Sequence, residues 1–291
     1  MAGIDNIAVH NLFGIPGLNI AWYGIIIAAA IVVGVWVAVR QARAKGYTAE
    51  LIFDFMILAL PLAIVGARIY YVAFEWDYYS QHPAEIIAVW NGGIAIYGAI
   101  IGGVLAGVIL CCWRRFPFTR LMDFTMPGLA VGQAIGRWGN FVNQEAFGNI
   151  VTDPALQWFP YAVYIESKWT GTMQVTDSWV QATFFYESMW DLALFAVLLW
   201  IAKRARHDGV VMASYLIGYG LGRLWIEGLR VSTLQLWPGM PVSQFVSLVV
   251  IAIGAVYLVW VRIKNPPNRP YYGMYRLNNE QELESELQEE E

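Results

Sequence analysis

The chain has 291 residues, of which 58% are hydrophobic and 14% charged, with a formal net charge of -4 and a mean hydropathy of +0.49. That balance excludes an ordinary soluble domain of this length and calls for a lipid bilayer as solvent. No nucleic-acid partner is expected.

Met1 to Asn19 contains Gly14, Pro16 and Gly17 without a helical period, so it reads as an arm on the outer membrane surface. The first span is Ile20 to Val39, charge-free and matching the roughly 20 residues that cross about 30 Å of hydrocarbon. It is too long for a signal-peptide core, and no small-residue cleavage site follows before Arg40. Six further spans are Phe55 to Phe74, Gly93 to Trp113, Leu121 to Gly136, Phe184 to Ala202, Val210 to Leu229 and Val242 to Val261. Pro61 and Pro127 are expected to kink their spans. The third span has Gly98/Gly102 and Gly103/Gly107 at four-residue spacing, which suits close helix approach as well as it suits a ligand. Glu75 to Gly92 and Asn149 to Ala182 are two more outer segments, the latter long enough for a small folded head and rich in Trp and Tyr.

The expected fold is thus an all-α polytopic membrane protein with seven transmembrane helices, outer-face arms and an outer head at 149–182. A transmembrane domain covers 1–265, with its outer arm at 1–19. Residues 266–291 form a cytoplasmic acidic tail, in which Glu280 to Glu291 supply seven carboxylates, a composition typical of disorder. Four basic clusters (Arg40, Arg43, Lys45; Arg114, Arg115, Arg120; Lys203, Arg204, Arg206; Arg262, Lys264, Arg269, Arg276) fall on one side of the seven-span arrangement. By the excess of Lys and Arg in cytoplasmic loops, the N-terminus is outside and the C-terminus cytoplasmic. Cys111 and Cys112 are adjacent packing residues, with no disulfide expected.

Chemistry concentrates at two arginines inside apolar stretches, Arg137 and Arg223. A guanidinium at membrane depth is costly and faces a partner, a polar cavity or an anionic ligand. Arg223, Glu227 and Arg230 are spaced i, i+4, i+7 on one helical face, where one carboxylate cannot neutralise two cations. Arg137, Asn140, Asn143 and Glu145 form a polar cluster in which Gly136 and Gly139 admit close backbone approach. Asp123, Glu187 and Arg68 read first as ion-pair partners within spans, and Tyr23 as an interfacial anchor. His10, His82 and His207 lie outside the spans, and no metal-ligand spacing, phosphate loop or nucleophile elbow occurs. Neither metal nor cofactor is expected. An anion transporter or lipid binder, and a structural subunit with every Arg paired, are the competing readings.

Several blocks carry a resemblance through most of the chain: Trp22-Tyr23-Gly24, Trp90 to Gly98, Gly136 to Gly148, Phe185-Tyr186-Glu187-Ser188, Gly218 to Arg230 and Val242-Ser243-Gln244. They are similar to the bacterial prolipoprotein diacylglyceryl transferases, and the Arg137 block is that family's specific signature. The resemblance implies transfer of a diacylglyceryl group from phosphatidylglycerol to the lipobox cysteine of a preprolipoprotein, with release of glycerol-1-phosphate. It implies a multi-pass protein of the bacterial cytoplasmic membrane. It assigns catalysis to Arg137, Arg223, Tyr97 and Tyr23, and substrate contacts to Arg137, Asn140, Asn143, Glu145, Gly148, Glu187, Glu227 and Arg230. Two departures stand out. Tyr97 occupies a position where some members carry a histidine proposed as base, and a phenol with a reference pKa of about 10 is a poor base near neutrality. Either Tyr97 orients substrate or the thiol loses its proton elsewhere. Gln181-Ala182-Thr183 stands where relatives often show His-Pro.

Overall fold

The computed structural model describes residues 6–15, 19–165, 168–170, 173–175, 177–230, 235–237 and 240–277. Its helices are α1 (Trp22–Arg43), α2 (Glu50–Phe74), the single turn α3 (Trp76–Tyr79), α4 (Ile96–Arg114), α5 (Phe118–Asn143), α6 (Thr183–Arg204), α7 (Val210–Glu227) and α8 (Val242–Lys264). Five of them, α1, α2, α4, α6 and α8, are long and apolar enough to cross a membrane. The fold is therefore a mostly helical polytopic one. The helices α5 and α7, which carry Arg137 and Arg223, are long but fall outside that set of five.

The termini of these helices have local causes. Pro241 fixes the backbone before α8, and Asn265 closes it in the left-handed region at φ 44° with its N–H on Val261 O at 2.9 Å. Basic side chains occupy the last turns of α1, α4, α6 and α8 (Arg40 and Arg43, Arg114, Lys203 and Arg204, Arg262 and Lys264), where the helix dipole favours positive charge. Pro61 and Pro127 sit inside helices that continue on both sides of them.

The chain divides into two compact units, Met1–Val37 with Thr125–Pro267, and Ala38–Phe124 with Asn268–Glu291. In the first, β1 (Ile7–Val9) pairs antiparallel with β2 (Ile20–Ala21) ahead of α1. Gly34 of α1 and Gly128 of α5 meet so closely that a Cβ at Gly128 would lie 2.2 Å from Gly34 O. Ala130, Leu194, Leu198, Ala202, Val211 and Tyr215 form a buried cluster joining α5, α6 and α7. The expected head is β-structured: β3 (Ala162–Ile165) pairs with β6 (Ser178–Gln181), and β4 (Lys168–Thr170) with β5 (Met173–Val175). A last short pair is β7 (Gln235–Trp237) with β8 (Met240–Pro241). The all-α expectation thus needs these antiparallel pairs added, since short connecting segments satisfy their backbone groups by pairing across a turn.

In the second unit α2 packs against α4 through glycine. A Cβ at Gly98 would stand 2.2 Å from Gly66 O, and one at Gly102 would stand 2.1 Å from Leu62 O, so backbone meets backbone there. The Gly98/Gly102 spacing is therefore a packing face, whereas Gly103 points into open space. Arg68 corrects the expectation of a carboxylate partner. Its guanidinium donates instead to the carbonyl oxygens of Glu85 (2.6 Å), Ile86 (2.8 Å), Gly92 (2.7 Å) and Gly93 (2.8 Å), folding the segment after α3 around itself. Residues 268–277 are also ordered: Tyr275 is fully buried and its hydroxyl donates to Asp54 Oδ2 at 2.7 Å. Tyr275, within the expected tail, thus packs against α2. Glu280 to Glu291 lie outside the described residues.

Candidate active site

The site lies in the first unit, on α5, α6 and α7. Sequence reading ended the fourth span at Gly136, but α5 continues to Asn143 and carries Arg137, Asn140 and Asn143 on regular helix. Trp138 Nε1 donates to Ser188 Oγ at 3.2 Å, and Ser188 Oγ to Ala134 O at 2.9 Å, which ties α5 to α6. Trp190 Nε1 donates to Gly218 O at 2.9 Å, tying α6 to α7. Only glycine fits at position 222, because a Cβ there would lie 2.2 Å from that indole nitrogen.

These ties hold Glu187 between three cations. Its carboxylate is 4% exposed and lies 2.8 Å from Arg137 Nε, 2.6 Å from Arg223 Nη1 and 3.1 Å from Arg230 Nη2. Glu227 Oε2 lies 2.7 Å from Arg223 Nη2 and 3.8 Å from Arg230 Nη1. The shared face of Arg223, Glu227 and Arg230 is thus present, with one correction: α7 ends at Glu227 rather than Leu229. A turn with Arg230 N on Glu227 O at 3.2 Å keeps Arg230 beside Glu227. Three guanidiniums share two carboxylates in direct ion pairs, a set with one positive charge before Asp191 beside it is counted. Arg230 Nε is buried without an acceptor among the described residues. A small pocket of about 10 Å³ is lined by Arg137, Glu187, Trp190, Asp191, Tyr219, Gly222, Arg223 and Ile226.

The remaining predicted residues flank this cluster or lie apart from it. Asn140 Nδ2 and Asn143 Nδ2 donate to Glu145 Oε1 at 3.1 and 3.4 Å. Gln144 and Ala146 hold positive φ angles of 51° and 57°, conformations that cost on the order of 1 kcal/mol each and recur at functional sites. Gly148 forms an antiparallel bridge with Arg230, and a Cβ on it would lie 2.8 Å from Gln181 Cβ. Thr183 Oγ1 donates to Ala146 O at 2.7 Å, so the Gln181-Ala182-Thr183 departure pins this loop to the start of α6. Tyr23 packs its ring on Gly139, where a Cβ would come within 2.8 Å of Tyr23 Cδ2. Tyr97 belongs to the second unit, at the first turn of α4 against Tyr70, with ring centroids 6.2 Å apart. No group of three His, Cys, Asp or Glu side chains arranged for a metal ion occurs among the described residues.

Sequence reasoning missed Asp191 and Trp190. Asp191 was accessible to it, since it stands four residues after Glu187 and so on the same helical face.

The family model described as prolipoprotein diacylglyceryl transferase matches residues 10–260. The chain is similar to proteins named phosphatidylglycerol–prolipoprotein diacylglyceryl transferase in three bacteria. Identity is 40% over 269 residues with that of Listeria innocua (92% of this chain, 93% of the relative). It is 43% over 257 residues with that of Synechococcus elongatus (86% of each chain), and 37% over 259 residues with that of Bacillus velezensis (89% and 94%). With a family model matching residues 10–260 and relatives this similar over most of their length, the chain belongs to the prolipoprotein diacylglyceryl transferase family.

Proposed function

We propose that this chain moves the diacylglyceryl group of phosphatidylglycerol onto the lipobox cysteine thiol of a preprolipoprotein, leaving a thioether and releasing glycerol-1-phosphate. The observation that carries the site assignment is the cluster of three arginines ion-paired to two carboxylates, with Arg137 and Arg223 lining a pocket. Sulfur attacks the glycerol carbon while negative charge builds on the departing phosphate. Arg137 and Arg223 line the pocket and offer that phosphate planar N–H donors already oriented by Glu187 and Glu227. Removal from water strengthens such a clamp. Arg230 adds the third cation and is held by Gly148. Asn140, Asn143 and Glu145 bind the polar part of the substrate beside it, and Tyr23 borders them. Tyr97 orients substrate. As a substitution at carbon, the reaction needs no cofactor, and the nucleophile belongs to the peptide.

The same reading assigns seven spans, α1, α2, α4, α5, α6, α7 and α8, in the bacterial cytoplasmic membrane. The basic last turns of the first, third, fifth and seventh of them support an outside N-terminus and a cytoplasmic C-terminus. Residues 1–265 form the transferase domain, with an outer arm at 1–19 and an outer head at 149–182, and a cytoplasmic acidic tail follows.

The test is to incubate purified protein with phosphatidylglycerol and a synthetic lipobox peptide and follow the peptide mass. A diacylglyceryl increment with released glycerol phosphate is expected. A folded, lipid-bound sample giving no increment would point to an anionic-lipid binder or transporter instead.

A further inference from the structure

One of the two carboxylates that line the pocket is left unused by the phosphate clamp. Asp191 stands one turn beyond Glu187 on α6, is 3% exposed and lines the pocket with Arg137 and Arg223. The oxygens of Glu187 are taken up by Arg137, Arg223 and Arg230, and Glu227 is engaged by Arg223 and Arg230. No hydrogen bond or ion pair among the described residues reaches the carboxylate of Asp191. An ionised carboxylate has about four lone-pair sites, and burying them unmatched is costly. No direct ion pair offsets that cost, whereas a proton acceptor must keep an oxygen open.

We propose that Asp191 is the catalytic residue that accepts the proton of the substrate thiol, an assignment that rests on the transferase reading above. The thiol proton passes to an Asp191 oxygen, and the freed sulfur electron pair forms the C–S bond to the glycerol carbon. The C–O bond to phosphate breaks, and its electron pair stays on the phosphate. Asp191 returns the proton to water when the products leave.

The charges of the site match this step. With Asp191 ionised, three carboxylates balance Arg137, Arg223 and Arg230, and protonation of Asp191 leaves the cluster with one positive charge. The leaving phosphate gains its second negative charge in the same step, so proton uptake exposes a cation where an anion forms. The groups facing Asp191 are Arg137 from α5, Glu187 from its own helix, and Arg223, Tyr219 and Tyr215 from α7. Tyr215 is occupied in donating to Gln133 Oε1 at 2.9 Å.

The experiment compares the full-length wild type with Asp191→Asn and Asp191→Glu in mixed micelles containing phosphatidylglycerol. Each is given a lipobox peptide carrying cysteine or selenocysteine, across a range of pH. Asp191→Asn is expected to lose about 10²-fold or more in kcat for the cysteine peptide, with KM for phosphatidylglycerol changed less than threefold and the acid limb of the pH profile gone. The selenol ionises without help near neutrality, so the selenocysteine peptide is expected to recover most of that loss. Asp191→Glu keeps a carboxyl and is expected to retain activity with a displaced acid limb. An equal loss with both peptides, a loss in KM alone, or an unchanged rate for Asp191→Asn overturns the assignment. Should Asp191→Asn not purify as a folded protein, an acid limb in Asp191→Glu identical to wild type overturns it. A wild type inactive with both peptides overturns the transferase reading itself, and this assignment with it.

Discussion

Replacing Glu187 with Gln tests the charge cluster most directly. The carboxylate is 4% exposed and faces three guanidiniums at 2.6 to 3.1 Å, so the variant leaves three partly buried cations, of which only Arg223 and Arg230 keep an ion pair, to Glu227. Removing one partner from a buried ionic network costs about 3–5 kcal/mol. The Gln oxygen still accepts one hydrogen bond, which places the expected loss near the lower end, about 3 kcal/mol. At about 2–4 °C per kcal/mol for a chain of this size, Tm should fall by roughly 10 °C. The surplus charge of the cluster rises by one, so an anion should stabilise the variant more than the wild type. A ligand at a hundred times its Kd contributes about 2.7 kcal/mol. The assay is thermal unfolding of the detergent-solubilised proteins, followed by tryptophan fluorescence, with and without glycerol-1-phosphate. A Tm within about 2 °C of wild type, or no greater response to the anion, would refute the reasoning.

Arg137→Ala and Arg223→Ala should each lower transfer by about 10²–10³-fold or more while leaving the protein folded and inserted. Normal turnover in the peptide mass assay would remove both from the clamp. Tyr97→Phe should lose less than about tenfold, as a positioning group does. A loss above about 10²-fold would make the phenol the proton acceptor and displace Asp191. Gly98→Ala sets a methyl against Gly66 O and should cost about 1–3 kcal/mol by overpacking, whereas Gly103→Ala meets nothing within 4 Å and should stay within about 0.5 kcal/mol. Equal unfolding temperatures for the two would contradict the α2–α4 contact. Burial, and then the hydrogen bond to Asp54, raise the pKa of Tyr275 above its ordinary value. A folded-state pKa above the unfolded one gives stability that is present below about pH 10 and lost as pH rises beyond it. Tyr275→Phe should therefore show a smaller fall in Tm between pH 9 and 11 than wild type, and an unchanged fall would count against the bond.

The membrane class, the long helices and the one-face arrangement of Arg223 and Glu227 were legible because each depends on local periodicity. Apolar runs of about 20 residues and side chains four apart on a helix need no knowledge of the rest of the chain. Helix ends were less legible. The polar residues after Gly136 read as a departure from the membrane, yet α5 runs on to Asn143 because its buried partners lie on α6, among them Ser188 and Phe184. Whether a glycine pair serves packing or a ligand was undecided in sequence, and the approach of Gly66 to Gly98 and of Leu62 to Gly102 decided it.

Cations inside apolar segments, and one acid too few to neutralise two of them, are visible in the residue order alone. Which groups answer those cations depends on packing: Glu187 from another helix for the arginines of the cluster, and four backbone carbonyls for Arg68. The same packing decided that Asp191, one turn from Glu187, faces the pocket with its oxygens open. The physical reason is that the helical period fixes which side chains share a face, while packing between helices fixes what that face meets.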